Sequence, residues 1–225
     1  MNQFQISKLW DGTSLPESER VNLIISVQGE ALVITVDAPF YNDPKPSAQS
    51  ALNLDGLWNF EVVEVFIKGR HDKYIEIEMG PHGHYLVLVC DGYRQCFSRQ
   101  LELTCYSANL DACRWSANMV CPISLLPPPT DIPGAEYSFN AYSIHNAPDH
   151  TGRVHAALFP PWKAEGEYEI PDFHKLELFN HFPSALFGDA VNQAGASLWD
   201  GRSGISVGAV EAPKEDGENS PCLRE

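Results

Sequence analysis

Apolar residues recur at alternate positions in short runs separated by turn residues, and almost nowhere at the spacing of a helix face. Val21 to Val27 and Ala31 to Val36 read as a hairpin around Gln28-Gly29-Glu30, with Leu32, Ile34 and Val36 on one face. Asp43-Pro44-Lys45-Pro46 ends strand structure and opens a long loop. In Glu61 to Lys68 and Tyr74 to Met79 the alternation turns Val63, Val65, Ile67, Ile75, Ile77 and Met79 inward. The same period turns Glu64, Phe66, Tyr74, Glu76 and Glu78 outward.

His84 to Cys90 continues the pattern, and Asp91-Gly92 supplies a turn into Gln95 to Cys105. Trp115 to Cys121 is the next strand, closed by Pro122, and Leu125-Leu126 forms one short helical turn before three prolines stop it. Tyr137 to His145, Val154 to Phe159 and Phe173 to Phe179 bring the count to about ten strands. The expected fold is therefore all-β, an antiparallel β-sandwich.

Composition sets the limits of that body. A chain of 225 residues with 44% hydrophobic content can bury one core. From Ala190 the apolar pattern fades, and Glu211 to Glu225 mixes charge with Pro, Gly and Ser. The expected organisation is one domain over 1–189 and a disordered tail over 190–225.

A formal net charge of −15 argues against a nucleic-acid partner, which would need clustered Lys and Arg. No apolar run is long enough to cross a bilayer, and Met1 to Lys8 lacks a secretory pattern. Cys90, Cys96, Cys105, Cys113, Cys121 and Cys222 contain no C-x-x-C pair and mostly fall in strands, so reduced, mostly buried thiols are expected. With no Asn-x-Ser/Thr acceptor either, the reading is cytoplasmic, with no membrane partner.

The segment Leu57-Trp58-Asn59-Phe60-Glu61-Val62-Val63-Glu64-Val65-Phe66-Ile67 resembles the Trp-x(5)-Glu-x-Phe-Ile strand of family-nine carbohydrate-binding modules, which are DOMON-like sandwiches. Tyr74-x-Glu76, Pro81-x-Gly83, Tyr137-Ser138-Phe139-Asn140, Trp162 and Pro171-x-Phe173-x-x-Leu176 extend the similarity over roughly Trp10 to Phe179. The Leu-Trp and Glu-Val-Val-Glu pattern with Pro-His-Gly also resembles an uncharacterised family that includes the vertebrate chromosome-four open-reading-frame protein.

The resemblance implies a jelly-roll-like sandwich in which Trp58 and Trp162 clamp a sugar while Glu64 accepts its hydroxyl protons. Two departures stand out: no Arg follows Tyr74 where the modules place one, and the stretch from Trp162 to Phe173 is longer. A sugar needs an aromatic plane for its C–H face and carboxylates or amides for its rim, and these residues supply both. The ligand-binding candidates are Trp58, Glu64, Trp162 and Glu76, and the ligand is a glycan or similar polyhydroxylated small molecule.

The alternatives are of other classes. Packing roles for the tryptophans weigh evenly against ligand roles, because Trp is usually well buried. Glu64, Glu76 and Glu78 could bind Ca²⁺, or Glu64 and Glu76 could act as a glycosidase pair. For Glu78 the plainer reading is a polar residue on a half-exposed sheet face. His82-x-His84, with His145 and His155, has loose zinc spacing, and Gly83 between the first two favours a turn. Haem held by Met79 and His145 ranks last. The chain has no Gly-x-Ser-x-Gly elbow, phosphate loop or dinucleotide fingerprint, so no catalytic residue is assigned.

Overall fold

A computed structural model describes residues 1–47, 49, 52–147, 152–161, 171–182, 186–188, 190, 194, 195, 198 and 199. Among the described residues thirteen strands form two antiparallel sheets, and the helical pieces are single 3-10 turns. In chain order the strands are β1 Asn2–Ile6, β2 Lys8–Leu9, β3 Val21–Gln28, β4 Ala31–Pro39, β5 Val62–Lys68, β6 Lys73–Met79 and β7 Tyr85–Asp91. They continue as β8 Cys96–Arg99, β9 Cys105–Leu110, β10 Arg114–Pro122, β11 Ser138–Asn146, β12 Arg153–Ala157 and β13 Asn180–His181.

The five-stranded sheet runs β1-β3-β4-β10-β9, and the eight-stranded sheet runs β2-β12-β11-β5-β6-β7-β8 with β13 beside β11. Gly29 at φ 59° turns the β3–β4 hairpin, a conformation costly for a residue with a Cβ. Gly83 at φ 84° does the same between β6 and β7, so the His82-x-His84 segment is the expected turn.

Alternation decides what lies between the sheets. Leu23, Ile25, Leu32, Ile34 and Val36 from one sheet meet Val63, Val65, Ile67, Ile75, Ile77 and Val87 from the other in one core with almost no exposure. That inward set is the one the sequence pattern specifies. The core is closed by Phe182, Phe187 and Trp199, the last lying beyond residue 189. Trp199 is 5% exposed, donates its indole N–H to the Leu125 carbonyl at 3.2 Å and meets Phe97 edge to face.

Several strand limits differ from expectation. Gln95 to Cys105 is not one strand: β8 ends at Arg99 on the eight-stranded sheet, and Cys105 opens β9 on the other. Phe173 to Phe179 is not a strand either, but a turn followed by a 3-10 turn at Leu176–Leu178. Phe173 and Phe179 are buried and Leu176 and Leu178 half-buried because the segment packs on the sheet, which mimics strand alternation in sequence.

The cysteines also depart from expectation. Cys90 and Cys96 form a disulfide between β7 and β8, while Cys105 and Cys113 are exposed thiols. Only Cys121 keeps the expected character, buried with its thiol pushed up to about 12 by desolvation. Cys222 and the residues from 200 onward lie outside the described residues. Among the described residues no helix is long and apolar enough to cross a membrane.

Candidate functional site

The outer face of the eight-stranded sheet is covered. Trp10, Leu57, Phe66, Tyr74, Leu86, Leu88, Tyr142, Phe173 and Phe179 make a second apolar cluster there, separate from the inter-sheet core. Phe173 stacks on Tyr142 with ring centroids 3.8 Å apart, and His174 meets Phe66 edge to face at 5.4 Å. The Tyr74 hydroxyl accepts the Arg94 backbone N–H at 3.2 Å and shares a 2.7 Å hydrogen bond with His174 Nδ1. Aromatic stacking and one buried hydrogen bond thus hold the 171–179 segment down on the sheet.

Beneath this cover sit three carboxylates. Glu64 on β5 pairs directly with Glu78 on β6, and Glu76 lies two residues before Glu78 on the same face. One carboxylate oxygen from each falls within 4.8 Å of the others. Exposure is 2% for Glu64, 4% for Glu76 and 0% for Glu78, so the expectation of a half-exposed polar face is corrected, for Glu78 above all. A sheet face is polar when water covers it, and here protein covers it.

Burial raises the protonation range of all three. Desolvation lifts Glu76 to about 8, with the Glu78, Arg94 and Arg99 interactions pulling the other way. Glu64 is raised well above the ordinary carboxylate range by desolvation, then by Glu76, against the pull of Arg153. Glu78 is raised by desolvation, then by Glu64 and Glu76. Both oxygens of Glu78, Oε2 of Glu76 and the Tyr142 hydroxyl have no hydrogen-bond partner. His174 Nε2 approaches Glu76 Oε2 only to 3.9 Å, and burial pushes His174 down to about 4, so it is neutral near pH 7.

Arginines ring the carboxylates without pairing to them. Arg153 on β12 donates to the backbone carbonyls of Trp58 at 3.0 Å and Phe60 at 2.6 Å, and to Asp43 at 3.3 Å. It thereby ties the Trp58 turn to the sheet. Arg99 pairs with Asp55 at 2.5 Å and lies 5.5 Å over the half-buried Trp58 ring. Arg94 pairs with Asp172 at 3.1 Å. The sequence reading missed Arg94, Arg99, Arg153, Tyr142 and His174: Arg94 and His174 lie in turns, Arg99 on edge strand β8, and Arg153 on β12 and Tyr142 on β11 reach the site only through strand pairing that no local pattern announces.

Of the ligand candidates, Glu64 and Glu76 are brought together, and Trp58 lies at the rim through Arg153 and Arg99. Trp162 lies outside the described residues. As a glycosidase pair, Glu64 and Glu76 would flank a cleft about 5–9.5 Å wide. Here their oxygens approach within 4.8 Å under the cover. The histidines do not converge: His82 and His84 line a shallow recess with Asp43 and Glu61, His145 stacks on Tyr41 at 3.4 Å, and His155 faces Phe173. Met79 is buried in the inter-sheet core. The Glu64, Glu76 and Glu78 trio is the one group of metal-capable donors among the described residues.

No protein-family model matches the chain. Among solved structures, a candidate carbohydrate-binding protein from Bacteroides uniformis aligns over 80% of this chain and 84% of its own at 14% identity, with a TM-score of 0.59. A family-nine carbohydrate-binding module from Caldicellulosiruptor kristjanssonii, solved with glucose, aligns over 80% of this chain and 79% of its own at 10% identity and a TM-score of 0.45. The first of these likenesses establishes the sandwich fold. Sequence relatives are nearer. The UPF0462 protein C4orf33 homologue of Mus musculus is 34% identical over 87% of this chain and 99% of its own length. That of Danio rerio is 33% identical over 88% and 97%, and that of Homo sapiens 30% identical over 87% and 96%. At this identity over nearly the full length of each relative, the chain belongs to the UPF0462 C4orf33 family.

Proposed function

We propose that the chain is a non-catalytic binding module whose ligand is a small polyhydroxylated molecule, a sugar by preference, taken at the outer face of the eight-stranded sheet. The observation that supports this reading is the set of buried carboxylate oxygens left without partners beside the Trp58 turn. Unpaired buried acceptors are costly, and sugar hydroxyls would satisfy them as donors. The half-buried Trp58 ring gives the apolar plane that a pyranose C–H face needs. Trp162 is proposed as the facing wall and Glu76 as a second acceptor. The likeness to a Bacteroides protein that is itself a candidate carbohydrate-binding protein accords with the same reading.

Ligand entry requires the 171–179 segment to lift, since Phe173 and His174 lie over Tyr142 and Phe66. The test is a thermal-shift screen of neutral mono- and oligosaccharides, in which a ligand at 100 times its Kd stabilises by about 2.7 kcal/mol. The expected result is a saturable shift that Trp58→Ala and Glu64→Gln abolish while both variants fold. No shift with any sugar, or one that both variants keep, overturns the proposal.

A further inference from the structure

We infer that Glu64, Glu76 and Glu78 form a binding site for an oxygen-seeking divalent cation, calcium ahead of magnesium. The acidic cluster is supported by the state of its own oxygens and by one feature independent of it. Glu78 is fully buried with both carboxylate oxygens unpartnered. Tyr142, which pairs across β11 and β5 with Glu64 and shares its face, is fully buried with its hydroxyl unpartnered. Native interiors almost never leave so many polar oxygens unsatisfied in one place.

The charge arithmetic leads to the same conclusion. Three carboxyl groups within 4.8 Å of one another and almost fully buried cannot all carry charge without a counter-ion. The nearby guanidinium groups relieve them only in part, because none is paired with the trio: Arg94, Arg99 and Arg153 are paired with Asp172, Asp55 and Asp43. A divalent cation would remove the repulsion and give the unpartnered oxygens something to bind.

An all-oxygen donor set selects hard cations over zinc or copper. Calcium binds oxygens at about 2.3–2.6 Å with a tolerant geometry, so ligand oxygens on one ion can stand roughly 4.6–5.2 Å apart. Oxygens that all lie within 4.8 Å of one another can share one such shell, and the tolerant geometry of calcium asks less of side chains fixed on two strands than the strict octahedron of magnesium. The Tyr142 hydroxyl is a neutral candidate for a further position. This inference does not rest on the sugar reading, because a cation can be held with no sugar present.

The test uses the full chain stripped with a chelator, then melted with Ca²⁺, Mg²⁺ or Mn²⁺ in turn and no sugar added. The expected result is a saturable rise in Tm with Ca²⁺, smaller with Mg²⁺, at one ion per chain by calorimetry. Terbium offers a second readout, since the Trp10 and Tyr142 rings lie 6.2 Å apart beside the site and would sensitise its emission, which Ca²⁺ should displace. Glu78→Gln and Glu64→Gln should each weaken binding at least tenfold. Both keep side-chain volume and replace a carboxyl by a neutral amide, so both should fold; were one to fail, the other and the wild-type terbium displacement decide. No cation effect on the wild type, or an effect that Glu78→Gln and Glu64→Gln leave intact, overturns the site. A calcium shift without a sugar shift sinks only the ligand reading, and the reverse sinks only this one.

Discussion

The two faces of the β5–β6 hairpin are about equally buried and chemically opposite. On the inner face Val63, Val65, Ile67, Ile75 and Ile77 are at most 1% exposed and pack against the second sheet. On the outer face Glu64, Glu76 and Glu78 are at most 4% exposed and leave carboxylate oxygens unpartnered. Burial on the inner face releases apolar surface from water and stabilises the fold. On the outer face it desolvates charge and opposes folding. The inner face serves the fold, and the outer face gives up stability at the candidate site.

The largest expected effects come from breaking the inner face. Trp199→Ala, which removes the ring closing the inter-sheet core, should cost about 3–5 kcal/mol in chemical denaturation. If the domain instead ended at residue 189, a 1–189 chain would melt as the full chain does. Ile77→Ala should cost about 2–5 kcal/mol and leave any ligand or cation response in place.

The outer face should behave in the opposite sense. Glu78→Met, close in volume and apolar, should stabilise the cation-free protein by about 1–4 kcal/mol at pH 7.5. A loss of stability would mean that the carboxylates are satisfied by something within the fold, and the contrast would fail.

The smallest effect is on pH. Glu76 is raised to about 8, so the folded state holds a proton that the unfolded chain gives up near its ordinary value. The folded state then binds more protons, and stability must fall as pH rises through that window. His155 and His174 sit near 4 in the fold, so they lower stability only as pH drops below their unfolded value of about 6.5. Between pH 6.5 and 8 the carboxylates act without them, and denaturation midpoints should fall with a slope of up to about 1.4 kcal/mol per pH unit for each proton held. Saturating Ca²⁺ should flatten that slope.

The inner face was legible because period-two alternation is local: Val63, Val65 and Ile67 announce themselves within one strand. The carboxylates were legible as a shared outward face, but their burial was not. It depends on Phe173 and His174, whose segment looks like one more strand, and on Leu57 and Trp10 from two further loops. Arg153 was invisible for the same reason, since its importance lies in the backbone carbonyls of Trp58 and Phe60, which it reaches from another strand.

The order of the strands has a kinetic consequence. β5, β6, β7 and β8 are neighbours in both chain and sheet, so this meander closes only short loops and is suited to form early. Glu64, Glu76 and Glu78 therefore meet on an open, wet surface while their charges are still hydrated. The cover arrives from far along the chain, with Tyr74 and His174 separated by 100 residues. Dehydration of the carboxylates thus belongs to a late event, the descent of the 171–179 segment, and local opening there reverses it without unravelling the meander beneath.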